Sequence, residues 1–321
     1  MPDLLLKVAR LEAEAKEVLR LELVDANGGE LPPFEPGAHL AVHLPGGLVR
    51  HYSLCGDPRD RQRYVLGIGR AAASRGGSAW VHGSLCLGAD LRCSTPANNF
   101  RLVDAGRYLF VAGGIGITPL LAMARWCEAQ GKDWRMVYAA RSRQRLAFYE
   151  ELRAFGDRVQ FHCDDEAGAP LQVGPMLAGV QPGTEVYCCG PAPLMTAVQE
   201  QGAAVLPADA LHFEWFNAPP AAAAAEAAAA GAADGFWIDL QRSGTSYHVP
   251  ADRSILEVLE ENGHEIPFSC REGLCGTCET GVCGGEPDHL DYVYPPSQRA
   301  GLKTMLVCVS RARSERLALD L

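Results

Sequence analysis

Cys270-Arg271-Glu272-Gly273-Leu274-Cys275-Gly276-Thr277-Cys278 carries three cysteines spaced C-x4-C-x2-C, and a fourth, Cys308, stands in the apolar run Met305-Leu306-Val307-Cys308-Val309. One loop that supplies three thiolates, with a distant strand supplying the fourth, is the arrangement of a plant-type 2Fe-2S centre. Soft sulfur donors suit iron, and Gly273 and Gly276 let the loop bend tightly enough to aim its thiols inward. A tetrahedral zinc site is the competing use of these cysteines. Zinc sites usually pair their ligands as two CxxC knuckles, whereas here the first gap is four residues and the fourth cysteine stands alone. The stretch therefore predicts a module that moves single electrons, with Cys270, Cys275, Cys278 and Cys308 as metal ligands. Cys283, five residues further on, is surplus to that ligand set.

Working outward, Asn217 to Gly235 reads NAPPAAAAAEAAAAGAADG, with no aromatic or branched residue to anchor it in a core. Alanine favours helix, but Pro219, Pro220 and Gly231 interrupt it, so the segment reads as a semi-flexible linker over 217–235. Beyond it, 236–321 has the size of a ferredoxin domain. Phe236 to Leu240 and Tyr247 to Val249 predict a hairpin, and Ser254 with Glu257 predicts a capped helix that ends near Gly263. Residues 1–102 show short alternating runs between Pro and Gly clusters, the pattern of an antiparallel barrel. Residues 103–216 instead alternate buried-strand runs with helical stretches, which implies a parallel-sheet α/β domain.

Composition excludes several classes. A formal charge of -10 argues against nucleic acid, whose phosphates demand basic patches. No uninterrupted apolar run of about 18 residues is present to span a membrane. The first twenty residues mix charges with apolar positions and lack a secretion signal's apolar core, so a cytoplasmic protein with reduced thiols is the expectation. Cys188 and Cys189 are neighbours on one strand and point to opposite faces, which forbids an easy disulfide.

The α/β segment opens with Tyr108 to Ala112, which runs into Gly113-Gly114-Ile115-Gly116-Ile117-Thr118-Pro119. Glycines between a strand end and a helix start let a dinucleotide pyrophosphate approach the backbone, and the helix N-terminus then supplies donors. In the barrel segment, Arg50-His51-Tyr52-Ser53-Leu54 can place Arg50 and Tyr52 on one face of a strand, toward a flavin phosphate and ring, with Ser53 at the ring edge. Ser74-Arg75-Gly76-Gly77-Ser78 follows. Arg75, the glycine amides and Ser78 can cradle one phosphate.

The glycine turn resembles the nicotinamide-binding turn of the ferredoxin-NADP reductase superfamily, and Cys189-Gly190-Pro191, followed by Leu194 and Met195, resembles its second motif. Together, RHYSL, SRGGS, GGIGITP, CCGP and the cysteine motif resemble the phthalate dioxygenase reductase family over essentially the whole chain. The resemblance implies an FMN-binding barrel, an NAD-binding domain and a C-terminal ferredoxin of β-grasp fold. It implies FMN rather than FAD, NADH as donor, and a separate oxygenase component, of the Rieske type that acts on aromatic acids or quaternary amines, as acceptor. Thr118 and Cys189 are implied to be positioning residues beside nicotinamide and flavin, and the aromatic Phe216 to lie by the flavin. Arg141, after the strand ending Ala140, and Asp164-Asp165, after the strand ending at His162, are candidates for the adenosine end. A stand-alone NADH-dependent quinone or ferric reductase is the alternative. The acids Glu272, Glu279, Glu286, Asp288 and Asp291 around the cysteine loop predict a face that steers a basic partner.

Overall fold

Leu6 and Val8 point inward from β1 (Leu4–Ala15) while Lys7 points out, the period of a strand with one buried face. The computed structural model describes residues 3–70, 76–217, 235–294 and 296–321. They fall into two compact units, Met1–Glu214 and Trp215–Leu321.

The first unit holds two sheets. β1 joins β2 (Val18–Asp25), β3 (His39–Leu44), β4 (Leu48–Ser53), β5 (Tyr64–Gly69) and β6 (Asp90–Cys93) in the antiparallel order β4-β3-β6-β1-β2-β5. A bridge between Leu54 and Leu66 links the two ends, so the sheet closes on a core that includes Leu21, Leu23, Leu40, Val42 and Tyr64. Helix α1 (Gly77–Ser84) follows β5 after the phosphate-turn segment, of which 71–75, and with it Arg75, lies outside the described residues.

The second sheet is parallel: β7 (Arg107–Gly113), β8 (Asp133–Ala140), β9 (Val159–Cys163), β10 (Thr184–Cys189) and β11 (Leu211–Glu214) run in the order β11-β10-β7-β8-β9. Strand order reverses between β7 and β10. That reversal opens a crevice at the carboxyl ends of the two strands, where such sheets bind ligands. Helix α2 (Ile117–Ala129) leaves the glycine turn after β7 with Pro119 in its first turn, where no backbone donor is lost. α3 (Tyr149–Arg153) and α4 (Asp164–Ala167) follow β8 and β9, and α5 (Val173–Ala178) and α6 (Ala192–Gly202) flank β10.

In the second unit β12 (Phe236–Leu240) and β13 (Thr245–Val249) form the expected hairpin, in a sheet of order β13-β12-β18-β14-β16. Its other strands are β14 (Glu279–Gly284), β16 (Thr304–Leu306) and β18 (Arg316–Leu319), and a separate pair joins β15 (Pro287–Asp288) to β17 (Arg311–Ala312). Helix α7 (Ile255–Glu261) is opened by a complete capping box: Ser254 Oγ accepts from the Glu257 amide, and the Glu257 carboxylate accepts from the Ser254 amide. Its Ile255, Leu256, Val258 and Leu259 are buried with Phe236, Ile238, Leu317 and Leu319. The linker is outside the described residues apart from Asn217 and Gly235.

Candidate redox sites

The cysteine loop fills the chain between α7 and β14, and Cys308 stands just past β16, whose edge pairs with β14. Gly273 has φ +69°, and a Cβ there would lie 2.7 Å from Val309 Cγ2, so only glycine fits the bend. Arg271 adopts φ 57° despite its side chain, held over the Phe268 ring at 4.0 Å and to Glu260 at 2.6 Å. The loop thereby turns its amides toward sulfur. Cys270 Sγ accepts from the amides of Glu272 at 3.3 Å and Leu274 at 3.4 Å, and Thr277 Oγ1 donates to Cys275 Sγ at 3.2 Å. Neighbouring Cys275 and Cys308 and these amides hold the Cys270 thiol well below its ordinary value, and Cys308 does the same for Cys278. The same contacts push Cys275 and Cys308 the other way, so the four thiols form one interacting set, as cysteines that share a metal centre do.

The sulfur arrangement separates iron–sulfur from zinc. Cys270 sits beside Cys275 and Cys308, and Cys278 beside Cys308, in a chain of contacts. Around one tetrahedral zinc all four sulfurs would lie about 3.8 Å apart. Among the described residues, the only group of three or more ligand-type side chains with every donor atom within 4.8 Å of the others is Cys163, Asp165 and Glu166. No three of the four thiols make such a group. An elongated set fits two metal atoms and does not fit one.

In the barrel, Arg50, His51, Tyr52 and Ser53 lie on β4. Arg50 crosses the start of α1: a Cβ on Gly77 would stand 2.6 Å from Arg50 Cγ and Nε, and Gly76 takes φ +90° to enter the helix. The two quoted motifs thus meet, with Ser78 in the first turn of α1, as a phosphate cradle requires. Tyr52 Oη is buried with no hydrogen-bond partner, and burial pushes its hydroxyl up to about 12. An orphaned phenol is the mark of a missing polar neighbour, a place that a bound flavin would fill.

The two nicotinamide motifs also come together. A Cβ on Gly113 would lie 2.5 Å from Pro191 Cδ, one on Gly116 would lie 2.2 Å from the Cys189 carbonyl oxygen, and one on Gly190 would lie 2.9 Å from Gly113 Cα. Gly114, between them, takes φ +52°. Thr118 is buried, donates to the Ile115 carbonyl at 3.0 Å, and its methyl packs against Gly67 of β5, which ties the glycine turn to the barrel. Cys189 is fully buried, its thiol raised by burial, while Cys188 turns the other way toward Met195.

Glu214 was not among the residues singled out from sequence. Register pairs it with Cys189 across β10 and β11, and Ser53 Oγ donates to its Oε2 at 3.3 Å. Desolvation pushes its carboxyl up to about 8, so it holds a proton at neutral pH. The barrel motif, the second nicotinamide motif and a protonated carboxyl therefore converge. A carboxyl whose folded value is raised contributes stability fully present below about 4.5, its ordinary value, and lost as pH rises through about 8. We expect Glu214→Gln to flatten this decline: its melting temperature, relative to the unaltered protein, rises between pH 5 and pH 9. Parallel melting curves against pH for the two proteins would contradict the assignment.

The acidic face expected from sequence loses members. Asp291 is fully buried: its Oδ1 accepts from the Val293 and Tyr294 amides at 3.1 and 2.9 Å, so it adds nothing to an acidic face. Glu279 is engaged by Tyr294 Oη at 2.6 Å, and Asp288 by Arg313 at 3.0 Å. Arg141 is exposed in the turn after β8, where its carbonyl accepts from the Asp165 amide at 3.2 Å, and Asp164 lies 3.4 Å from His162 Nε2. Phe216 is half-buried at the start of the second unit.

Residues 238–313 match the 2Fe-2S iron-sulfur cluster binding domain family, and 110–200 match the oxidoreductase NAD-binding domain family. Phthalate dioxygenase reductase of Burkholderia cepacia is 39% identical over 98% of this chain and 97% of its own length. The chain belongs to the phthalate dioxygenase reductase family. A solved phthalate dioxygenase reductase, described as a modular structure for electron transfer from pyridine nucleotides to [2Fe-2S], superposes with a TM-score of 0.71 at 39% identity over 99% of this chain and 98% of that one. An intact type IV self-sufficient cytochrome P450 monooxygenase contains a similar region, with a TM-score of 0.91 and 40% identity; this chain spans 41% of it. Like the phthalate dioxygenase reductases, the chain is an oxidoreductase with NAD-binding and 2Fe-2S domains, the reductase component of an oxygenase system. Among the described residues no helix is long and apolar enough to cross a membrane.

Proposed function

We propose that this chain is a cytoplasmic protein that takes a hydride from NADH at an FMN held by residues 1–102, with the nicotinamide nucleotide on 103–216, and delivers electrons through a 2Fe-2S cluster in 236–321 to a separate Rieske-type oxygenase. The observation that carries the reading is the convergence of Ser53, Glu214 and Cys189 beside the glycine turn, in a chain whose other unit holds an elongated set of four thiols. Bound flavin converts the two-electron chemistry of NADH into single electrons that a 2Fe-2S cluster can carry. The chain's residues do the rest. Arg50, Gly76, Gly77 and Ser78 would hold the flavin phosphate, and His51, Tyr52 and Ser53 would line the ring. Gly113, Gly114, Gly116, Pro119, Gly190 and Pro191 admit the nicotinamide nucleotide close to the backbone, with Arg141 toward its adenosine end. Thr118 and Cys189 set its approach, and the Glu214 carboxyl keeps a proton beside Ser53. Cys270, Cys275, Cys278 and Cys308 are the cluster ligands.

The acceptor is tested by mixing the NADH-reduced protein with a Rieske oxygenase, a quinone and a ferric chelate in stopped flow. The oxygenase is expected to be reduced fastest, and its rate to fall with salt as the Debye length drops from about 10 to about 3 Å, because short-lived electron-transfer pairs rely on charge steering. Faster reduction of quinone or ferric chelate would favour a stand-alone reductase. A P450 acceptor is the second reading, favoured by the similarity to the self-sufficient monooxygenase.

A further inference from the structure

Arg143 lies in the turn after β8, and Glu166 in α4 after the neighbouring strand β9. Their side chains meet fork to fork: Arg143 Nε donates to Glu166 Oε1 at 2.9 Å and Nη2 to Oε2 at 2.8 Å. The remaining nitrogen, Nη1, donates to Tyr149 Oη at 3.1 Å, and the guanidinium lies 5.6 Å from the centre of that ring. A carboxylate oxygen of Asp165 lies within 4.8 Å of one on Glu166, and the Asp165 amide binds the Arg141 carbonyl, so the loops after β8 and β9 are joined.

Both loops stand at the carboxyl ends of parallel strands, on the side of the glycine turn away from β10. In sheets of this kind the adenosine ribose of a dinucleotide extends over the neighbouring strand ends, where an arginine accommodates a 2′-phosphate and an acid suits a free 2′-hydroxyl. Arginine recognises phosphate through its planar fork. Here that fork is filled by a carboxylate of matching geometry. A 2′-phosphate would have to displace Glu166 and then stand beside both the freed carboxylate and Asp165, which repel it.

We propose that Glu166 is a specificity-determining residue for the coenzyme: by holding Arg143 in a bidentate pair it withholds from NADPH the cation its 2′-phosphate needs, and so selects NADH. The inference rests on the reading of 103–216 as the nicotinamide nucleotide site.

Glu166→Gln and Glu166→Ala lie on an exposed surface where substitution leaves the fold intact. The full chain with its cofactors is titrated with 2′,5′-ADP in the oxidised state, and NADPH and NADH turnover are measured with ferricyanide. In both variants 2′,5′-ADP is expected to bind about tenfold more tightly, the scale of a restored charge-assisted pair. The KM for NADPH falls in parallel while its kcat changes little, and adding Arg143→Ala cancels the gain. Affinities for 2′,5′-ADP and KM values for NADPH within about twofold of the unaltered protein, or a gain that survives loss of Arg143, would overturn the inference. The underlying reading fails separately, if NADH does not reduce the unaltered protein.

Discussion

Cys275→Ser is expected to remove the visible absorbance of the cluster and to slow electron delivery to a one-electron acceptor such as cytochrome c by roughly a hundredfold or more, since a hydroxyl is a poor ligand for iron. Serine fits the space: Cys275 is half-buried and its neighbour Thr277 offers a hydroxyl donor either sulfur or oxygen can accept. NADH-to-ferricyanide turnover should stay within about twofold, because the loop's unit has its own core and its loss leaves the Ser53 and Glu214 site in place. Loss of both activities together would mean that the flavin and cluster units are not independent.

Gly116→Ala is the second large effect. The backbone of Gly116 is ordinary helical backbone, so alanine brings no conformational strain. Its Cβ, however, would stand 2.2 Å from the Cys189 carbonyl oxygen and 2.4 Å from its carbon. No side chain can swing aside to relieve that contact, because both atoms are backbone on β10. The turn after β7 must separate from β10, and the site proposed for the nicotinamide is distorted. A misplacement of about 1 Å is enough to cost roughly a hundredfold in a reaction that depends on approach geometry, and flavin reduction by NADH in rapid mixing should slow by that order. Cluster absorbance and reduction by dithionite should be unchanged. A reduction rate within about twofold of the unaltered protein would contradict the placement of the nicotinamide at this turn.

The glycine turn and the cysteine loop were legible in the sequence because their chemistry is written in spacings of a few residues, and local spacing survives folding. So was Ser254 with Glu257, a cap whose partners are three residues apart. Glu214 was not legible. Nothing near it marks a buried carboxyl; its role arises from the register of β11 on β10 and from Ser53, which lies 161 residues away. Asp291 misled for the opposite reason, since an acid beside an acidic loop reads as surface until the amides of Val293 and Tyr294 are found to cap it inside. The Arg143 and Glu166 pair spans 23 residues and two strands: Arg143 reads from sequence as a candidate for a 2′-phosphate, and nothing near it shows that Glu166 occupies its fork. What the sequence missed is therefore long-range pairing, which depends on how strands are ordered and registered.

Electrons are proposed to enter at a flavin beside Ser53, Cys189 and Glu214 and to leave through the sulfurs of Cys270, Cys275, Cys278 and Cys308. Anaerobic rapid mixing of the full chain with NADH, followed in the flavin and cluster absorbance bands and by low-temperature electron paramagnetic resonance, tests this order directly. Flavin bleaching is expected first, and the reduced-cluster signal is expected to grow then at the expense of the reduced flavin. A cluster signal that appears before flavin bleaching, or a protein that binds zinc at the four cysteines and shows no such signal, would contradict it.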